Sequence, residues 1–549
     1  MHASDRSNES FRDDDSSTDS NVANRSPLSD SDERMRSSAS RMAAIVFMGQ
    51  RAPCVQVMMP YDTSRTPPRS PQDPPPSAFV RPMGIPLLSK WCYEAASGHM
   101  RPVQNVHRVA TLAIDLNEVL HRAVLQSNGS EARFHRRAIS MIRRIVTTVR
   151  PSAQLGIFMD GVAPSAKYLL QIKRRRASPP SDLEPAPSFS SLALTPGTPA
   201  LCTLAANIRK SFGSRTYLSC SEEPGEGEVK LIGWIKRLGV KAGRSLLFGS
   251  DADLLAIGCA QACLHEARVC NHDMLTLPVR ALRHLAASSQ QPVHLPSLAI
   301  HIYLLGNDYM PKVSGMTPQL CFSTYKSANC PYLVVHQTDG SVDLRVPELT
   351  RLFEHLVEVI PSGAPTGEDR AAADDALSDE ALESYFKGLA WLATMYHSGQ
   401  CPDNGFVSTV TRAVRPEECL RWLQRQTSKF ITCHRSSMPP HDVDLAQMLL
   451  MPAWGRSMVQ PHLRRAMDPD SEIAFWFQTP CAVCKEYRQY MRWFEGESPE
   501  AVGDKRALWR LRRSLCEQYE AHKSDQHALL KSPPVEQISA YLRRLRSQR

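Results

Sequence analysis

The chain has 549 residues, enough for two to four domains at about 100–200 residues each, and its net charge of +9 is too mild to mark a nucleic-acid surface by itself. Its 15 cysteines are odd in number and scattered through apolar runs such as Ile257-Gly258-Cys259-Ala260, which argues for reduced core thiols in an intracellular protein and against a disulfide scaffold. No apolar stretch approaches the roughly 18–20 residues of a membrane span.

Residues 1–80 read as a disordered extension, dominated by Ser, Asp and Arg to about Ser40 and by proline from Pro67 to Pro76. Order is expected from about Met83. Three short apolar runs then stop at aspartates: Thr111 to Ile114 before Asp115, Leu155 to Met159 before Asp160, and Ser245 to Phe248 before Gly249-Ser250-Asp251. Each reads as a strand buried on both faces, with helical periodicity between them, so the fold class is α/β with a parallel, doubly wound sheet. A proline-rich insertion at 178–190 interrupts this α/β part, which spans 81–330. The acidic, alanine-rich stretch Gly367 to Glu380 lies in the mainly helical region 331–549, which ends in charged helices. Cys481 and Cys484 form a C-x-x-C with no second pair at zinc-finger spacing, so a structural role is expected.

In a parallel sheet, residues just beyond the strand ends converge on one edge. Asp115, Asp160, Asp251 and Asp253 are therefore expected together, joined by Glu226 and Glu228 of Glu223-Pro224-Gly225-Glu226-Gly227-Glu228 and by Asp308 of Gly306-Asn307-Asp308. Two like charges at 4 Å repel by about 4 kcal/mol at an effective dielectric near 20, so such a cluster calls for cations. Hard carboxylate oxygens select Mg²⁺ or Mn²⁺, and a two-metal site acts on phosphates. Gly225 and Gly227 allow a tight turn, with the helix expected to begin at Val229 and a further helix, leading to Asp308, capped by Ser297. Next to Asp160, the segment Lys167 to Arg176 places Lys167, Gln171, Arg174 and Arg175 on one helical face suited to a terminal phosphate.

These segments, MGIPLLSKW from Met83, AIDLNEVLH from Ala113, FMDGVAPSAKYLLQIKRRR from Phe158, LTPGTPAL from Leu194, EEPGEGEVKL from Glu222, FGSDADLLAI from Phe248 and YLLGNDYMP from Tyr303, occur in one order. As a set they resemble the Xrn family of 5′-to-3′ exoribonucleases over roughly Met83 to Ser314. A weaker likeness continues at Tyr385, Pro439 and Met467. The resemblance implies a PIN/flap-nuclease-like catalytic core followed by a mainly helical second conserved region. It also implies two Mg²⁺ ions, replaceable by Mn²⁺, on Asp115, Asp160, Glu226, Glu228, Asp251, Asp253 and Asp308, and a 5′-monophosphate pocket of Lys167, Gln171, Arg174 and Arg175. His121, six residues after the first aspartate, falls where a family histidine stacks on the terminal base.

The implied substrate is single-stranded RNA with a 5′-monophosphate, with RNA-decay proteins as partners through the N-terminal extension, no membrane, and a location in nucleus or cytoplasm. Three departures stand out. The family's tryptophan-rich block is Cys401-Pro402-Asp403-Asn404-Gly405-Phe406 here, leaving Phe406 as the candidate aromatic partner of His121; Val229 replaces a family histidine; and a long tail precedes the Met-Gly-Ile-Pro motif. Two other readings stay open, a flap-type DNA nuclease and an inactive RNA-binding scaffold. No Gly-x-Gly signature of a helix-hairpin-helix follows Asp308 to favour the first.

Overall fold

The run Thr111–Asp115 forms a strand, β2, with every residue buried. Around it the chain lays down α1 (Leu88–Ala95), β1 (Arg101–Pro102), α2 (Asn117–Leu125), α3 (Glu131–Val149), β3 (Gln154–Phe158), α4 (Tyr168–Arg176), α5 (Pro199–Phe212), β4 (Thr216–Ser219), α6 (Gly227–Leu238), β5 (Ser245–Phe248), α7 (Asp253–Ala260), β6 (Arg268–Cys270), β7 (Leu275–Pro278), α8 (Arg280–Ala286), α9 (Leu295–Tyr303) and α10 (Pro318–Ser327). The computed structural model describes residues 85, 87–176, 189–239, 245–288, 292–328, 330, 332–360, 376–410, 412–433, 435–477, 513 and 533–547. The extension 1–80, most of the proline-rich insertion, the acidic stretch to residue 375 and Cys481 and Cys484 lie outside the described residues.

The seven strands are ordered β1-β7-β6-β5-β2-β3-β4. Strands β6, β5, β2, β3 and β4 are mutually parallel, while β7 and β1 add antiparallel pairs at one edge. The succession runs outward from β2 to β3 and β4, then returns to β5 on the other side of β2. That reversal opens a crevice at the carboxyl ends of β2 and β5, where open α/β sheets bind ligands.

Alternation along β2 divides the core. Leu112 and Ile114 face a cluster that includes Phe134, Ile142 and Ile145 of α3 and Leu204 of α5, whereas Ala113 faces Leu231 and Ile235 of α6 and Leu254 of α7. Helix α3 forms because Phe134, Ala138, Ile142, Ile145 and Val149 recur on one face, behind a cap in which the Ser130 hydroxyl accepts from the Arg133 amide. Pro199 at the start of α5 and Gly239 at φ 57° after α6 mark helix ends in the usual way.

Beyond α10 the chain is mainly helical, with α11 (Val346–Val359), α12 (Asp379–Ser398), α13 (Pro416–Gln424), α14 (Val443–Leu450), α15 (Ala474–Phe477) and α16 (Val535–Ser547). Three strands also occur there: β8 (Val334–His336), β9 (Val342–Arg345) and β10 (Phe430–Ile431) form an antiparallel sheet in the order β10-β9-β8. The hydrophobic core crosses residue 330 unbroken, since α12 packs into the cluster on one face of the large sheet and α14 and α16 into the other. No helix among the described residues is long and apolar enough to cross a membrane.

Two local expectations are corrected. Helix α6 begins at Gly227, with Glu226 as its N-cap residue, two positions before Val229. Ser297 lies inside α9, whose N-cap residue is His294; its hydroxyl contacts His294 Nδ1 at 2.8 Å and accepts from the Leu333 amide at 2.9 Å.

Candidate acidic site and basic helix face

Asp115 is the last residue of β2, and its Oδ1 accepts from the Asn117 amide at 3.1 Å, which turns the chain into α2. Asp160 follows β3 and accepts the Gly227 amide at 2.8 Å. Reciprocal backbone bonds hold the two loops together, Gly161 N to Gly225 O and Gly225 N to Val162 O, each at 2.9 Å. The two glycines of the acidic turn serve different ends. Gly225 sits at φ 96°, a conformation that favours glycine, whereas Gly227 is a close approach: a Cβ there would lie 2.6 Å from Asp115 Oδ1 and 3.2 Å from Asp160 Oδ1. Helix α6 thus directs its N-terminus, the positive end of its dipole, at two aspartates from adjacent parallel strands.

Asp251 follows β5 and its Oδ1 accepts the Asp253 amide at 3.3 Å, leaving Asp253 as the first residue of α7. Asp308 arrives from the loop after α9. Each carboxylate of the set is close enough to others to perturb them. Burial, with Asp160, Asp251 and Glu226 adding, pushes Asp115 well above the carboxylate range. Burial likewise raises Glu228 and Asp253 strongly, carries Glu226 to about 7 and Asp251 to about 6.

The cation among them is Lys167. Its ammonium, buried at the last residue of the 3₁₀ turn before α4, ion-pairs with Glu226 and lies 3.0 Å from Asp308. Burial disfavours its charge, yet Glu226 and Asp308 hold its pKa well above the lysine range. Arg174 forms a two-point contact with Asp308 at 2.9 and 3.2 Å. Although burial opposes ionisation, Lys167 and Arg174 hold Asp308 at about 2.

The expected basic face forms. Gln171, Arg174 and Arg175 lie on α4 and Lys167 in the turn before it. Arg175 Nε donates to Thr195 Oγ1 at 3.2 Å, its pKa lowered by burial to about 10 with Asp160 opposing, and Gln171 Oε1 is buried without a hydrogen-bond partner. His121 on α2 is half-buried; burial, joined by Arg175 and Arg174 and opposed by Asp160, lowers its pKa. All seven carboxylates, the basic face and His121 therefore share one edge of the sheet. Phe406 does not complete a pair with His121. It stacks on Trp391, centroids 5.0 Å apart, and Trp391 meets Tyr309 edge-on at 5.4 Å.

Among the described residues, no three His, Cys, Asp or Glu side chains are grouped closely enough to share one ion in this arrangement. The chemistry of the donor set nonetheless fits a hard divalent cation. Glu226 Oε2 and Asp253 Oδ1 are buried without hydrogen-bond partners, and burial, with neighbouring carboxylates adding and Lys167 opposing, raises the Glu228 and Asp253 carboxyls, so a cation there would favour their ionised forms.

Sequence reasoning missed a second layer. Glu118 on α2 holds His272 at 3.0 Å and Arg122 at 2.9 Å, and His272 contacts the hydroxyl of Ser250, the residue before Asp251, at 3.2 Å. Lys230 donates to the carbonyls of Cys220 and Glu223 at 2.8 and 3.2 Å, which fixes the acidic turn from below. Glu118 and Arg122 at i, i+4 are visible in the sequence; the partnership with His272 is not.

The class defined by this architecture is an α/β domain with an acidic site at the switch point of its sheet and a basic helix face beside it. The chain is similar over residues 83–270 to the family model described as the XRN 5′-3′ exonuclease N-terminus. It is 29% identical over 212 residues to a 5′-3′ exoribonuclease 2 homolog of Caenorhabditis elegans, covering 30% of this chain and 21% of that protein. It is 28% identical over 244 residues to the 5′-3′ exoribonuclease 2 of Gallus gallus, covering 32% and 26%. With the 5′-3′ exoribonuclease 1 of Saccharomyces cerevisiae the figures are 24% over 223 residues, 34% and 14%. The chain thus matches about a quarter or less of the length of these relatives. Among solved structures, the catalytic core of Rad2 in complex with DNA substrate gives a TM-score of 0.33 at 13% identity, over 65% of this chain and 98% of that one, a likeness too weak to bear on function.

Proposed function

We propose that the chain is a divalent-cation-dependent 5′-to-3′ exoribonuclease that hydrolyses single-stranded RNA from a 5′-monophosphate end and releases nucleoside 5′-monophosphates. The observation that supports it is the shared edge: seven carboxylates from five separate segments meet a basic helix face across the Asp308 contacts to Lys167 and Arg174. Gln171, Arg174 and Arg175, with Lys167 released from its carboxylates, bind the terminal phosphate, and His121 stacks on the terminal base. Asp115, Asp160, Glu226, Glu228, Asp251, Asp253 and Asp308 hold two Mg²⁺ ions, or Mn²⁺. Bound ions would supply Lewis acidity toward the next phosphodiester and balance the charge of the acids.

In the reaction, a water oxygen joins phosphorus while the bond from phosphorus to the 3′-oxygen of the first nucleotide breaks. That oxygen takes up a proton and leaves as the 3′-hydroxyl of the mononucleotide. The shortened RNA again carries a 5′-monophosphate, so each cycle regenerates the end that the basic face binds. A cap or a triphosphate is excluded by size and charge, and a 5′-hydroxyl leaves the guanidinium groups unpaired.

A second reading, an RNA-binding scaffold with little turnover, draws on the Lys167 ammonium set between Glu226 and Asp308. One time course separates the two, using matched RNAs with 5′-monophosphate, 5′-hydroxyl or 5′-triphosphate ends, with Mg²⁺ or chelator, and wild type beside Asp251→Ala/Asp253→Ala. Mononucleotides released only from monophosphorylated RNA, by wild type with metal, support the nuclease. Equal degradation of all three ends overturns it, and binding without cleavage favours the scaffold.

A further inference from the structure

We propose that the N-terminal half of α3 is a second RNA-backbone contact, a cleft that takes phosphodiesters of the strand downstream of the acidic site. The cleft, about 440 Å³, is lined by Gln126, Asn128, Arg133, Arg136, Arg137 and Ser140. Arg133, Arg136, Arg137 and Ser140 recur at i, i+3, i+4 and i+7 and form one exposed stripe, opposite the face that buries Phe134, Ala138 and Ile142.

Three guanidinium groups so close together repel one another, and like charges at this spacing weaken a helix by about 0.2–0.5 kcal/mol per pair. No carboxylate of the described residues offsets that. Among the described residues the three side chains have no carboxylate partner: Glu131 is taken up by His135 at 3.3 Å and Glu118 by Arg122 and His272. The lining has no aromatic or aliphatic anchor of the kind on which protein interfaces are centred. A ligand with several phosphates at regular spacing supplies the missing charge, and guanidinium forks suit phosphate oxygens.

The position of the cleft follows from the fold. The chain after α3 rejoins the sheet at the amino end of β2, where Ser152 N bonds Val109 O and Ala153 N bonds Ala110 O. Fourteen helical residues back from Arg150, a rise of roughly 21 Å, reach Arg136, whereas five-residue β2 rises only about 13 Å. The arginines therefore stand level with or beyond the carboxyl edge that carries the acids. Helix α2 connects the two places directly. It starts two residues after Asp115 and passes His121, and Gln126 of the cleft follows its last residue, about 14 Å of helix in all.

The inference rests on the RNA reading above but not on turnover, so its test uses binding. Anisotropy of labelled, 5′-monophosphorylated single-stranded RNAs of about 5 and about 25 nucleotides is titrated with the full chain in chelator, over a series of salt concentrations. Arg133→Ala/Arg136→Ala/Arg137→Ala is expected to weaken binding of the long RNA about tenfold or more, and to reduce the slope of log affinity against log salt by about 2, since each phosphate contact on a single strand contributes about 0.7. The short RNA is held by the basic face of α4 and His121, and its affinity changes less than about twofold. A control, Arg143→Ala/Arg144→Ala, removes two exposed arginines from the other end of the same helix and leaves the long RNA bound as before. Wild-type affinity and slope in the triple variant, or an equal loss in the control pair, overturns the proposal and would leave the cleft to an acidic protein partner. Failure of the cleavage assay with this binding pattern intact would count against the nuclease alone.

Discussion

The ammonium of Lys167 lies 3.0 Å from a carboxylate oxygen of Asp308, a residue 141 positions further along the chain, and it also ion-pairs with Glu226. It is the internal counter-charge of the acidic cluster. Lys167→Met should therefore cost about 3–5 kcal/mol in chelator, because it strands buried carboxylates without a partner. Mg²⁺ should restore most of that loss, since an added cation replaces the missing one. Denaturant unfolding of wild type and variant, with chelator and with Mg²⁺, checks this. An equal loss in both conditions would make the lysine a packing element and nothing more.

Gly227→Ala tests the contact between α6 and the two strand-end aspartates. Its methyl would press on Asp115 Oδ1 at 2.6 Å and Asp160 Oδ1 at 3.2 Å. Displacing reacting groups by about 1 Å can lower turnover about 10²-fold, while overpacking of this size costs about 1–3 kcal/mol of stability. Gly225→Ala provides the contrast, with a strained φ of 96° but only the Lys230 side chain nearby, at 3.4 Å. It should lose stability, by about 1 kcal/mol, with a smaller effect on turnover. Wild-type turnover in Gly227→Ala would mean that the aspartates do not act at this position.

The positions of Asp115, Asp160 and Asp251 were legible because each ends an apolar run, and parallel strands bring their ends to one edge. The face of Gln171, Arg174 and Arg175 was legible from helical spacing. Contacts that depend on tertiary structure were not. Helix α6 starts two residues early because the Gly227 amide finds Asp160, a partner supplied by another loop. The antiparallel β7 and β1 at the sheet edge are short strands with no strong periodic signal, and the β8-β9-β10 sheet is equally short. Ser297 resembles a cap in sequence, but Leu333 claims its hydroxyl from 36 residues away.

The acidic cluster also sets a pH dependence. In the folded chain Glu226 titrates at about 7 and Asp251 at about 6, burial being the first cause in both. Unfolded carboxyls titrate near 4, so between roughly pH 4 and pH 7 the folded chain holds protons that the unfolded chain has released. The contribution of these two carboxyls to the metal-free fold is then largest at the acid end of that window and is lost as pH rises through it. Asp308, Glu118 and Glu418, each held at about 2, act in the opposite sense below roughly pH 4, and His301 and His397, lowered by burial to about 4, act in that sense between roughly pH 4 and pH 6.5. The share of the acidic site is read as a difference: in chelator, Glu226→Gln/Asp251→Asn should abolish about 2 kcal/mol or more of stability near pH 5 relative to pH 7.5 that the wild type has, and Mg²⁺ should shrink that difference. The same pH dependence in wild type and variant, in chelator, would contradict the charge balance assigned to the site.

His121 and Phe406 can be separated by substitution. If they formed two sides of one base sandwich, His121→Ala and Phe406→Ala would weaken RNA binding equally. Phe406 instead stacks on Trp391, whose indole donates to the Asp403 carbonyl at 3.0 Å, and Trp391 in turn meets Tyr309, over which the Lys167 ammonium lies at 5.5 Å. Phe406→Ala should therefore act first on stability, by about 1–2 kcal/mol, through the lost stack and its buried area. His121 lies beside Asp160, Arg174 and Arg175. Its removal should raise the KM for monophosphorylated RNA about tenfold, with the melting midpoint unchanged, because stacking of one base contributes about 1–3 kcal/mol. Melting curves and steady-state kinetics on the two variants distinguish these roles. A KM increase of the same size in Phe406→Ala, with no change in melting, would restore Phe406 as the partner of His121 and require the Trp391 stack to open when RNA binds.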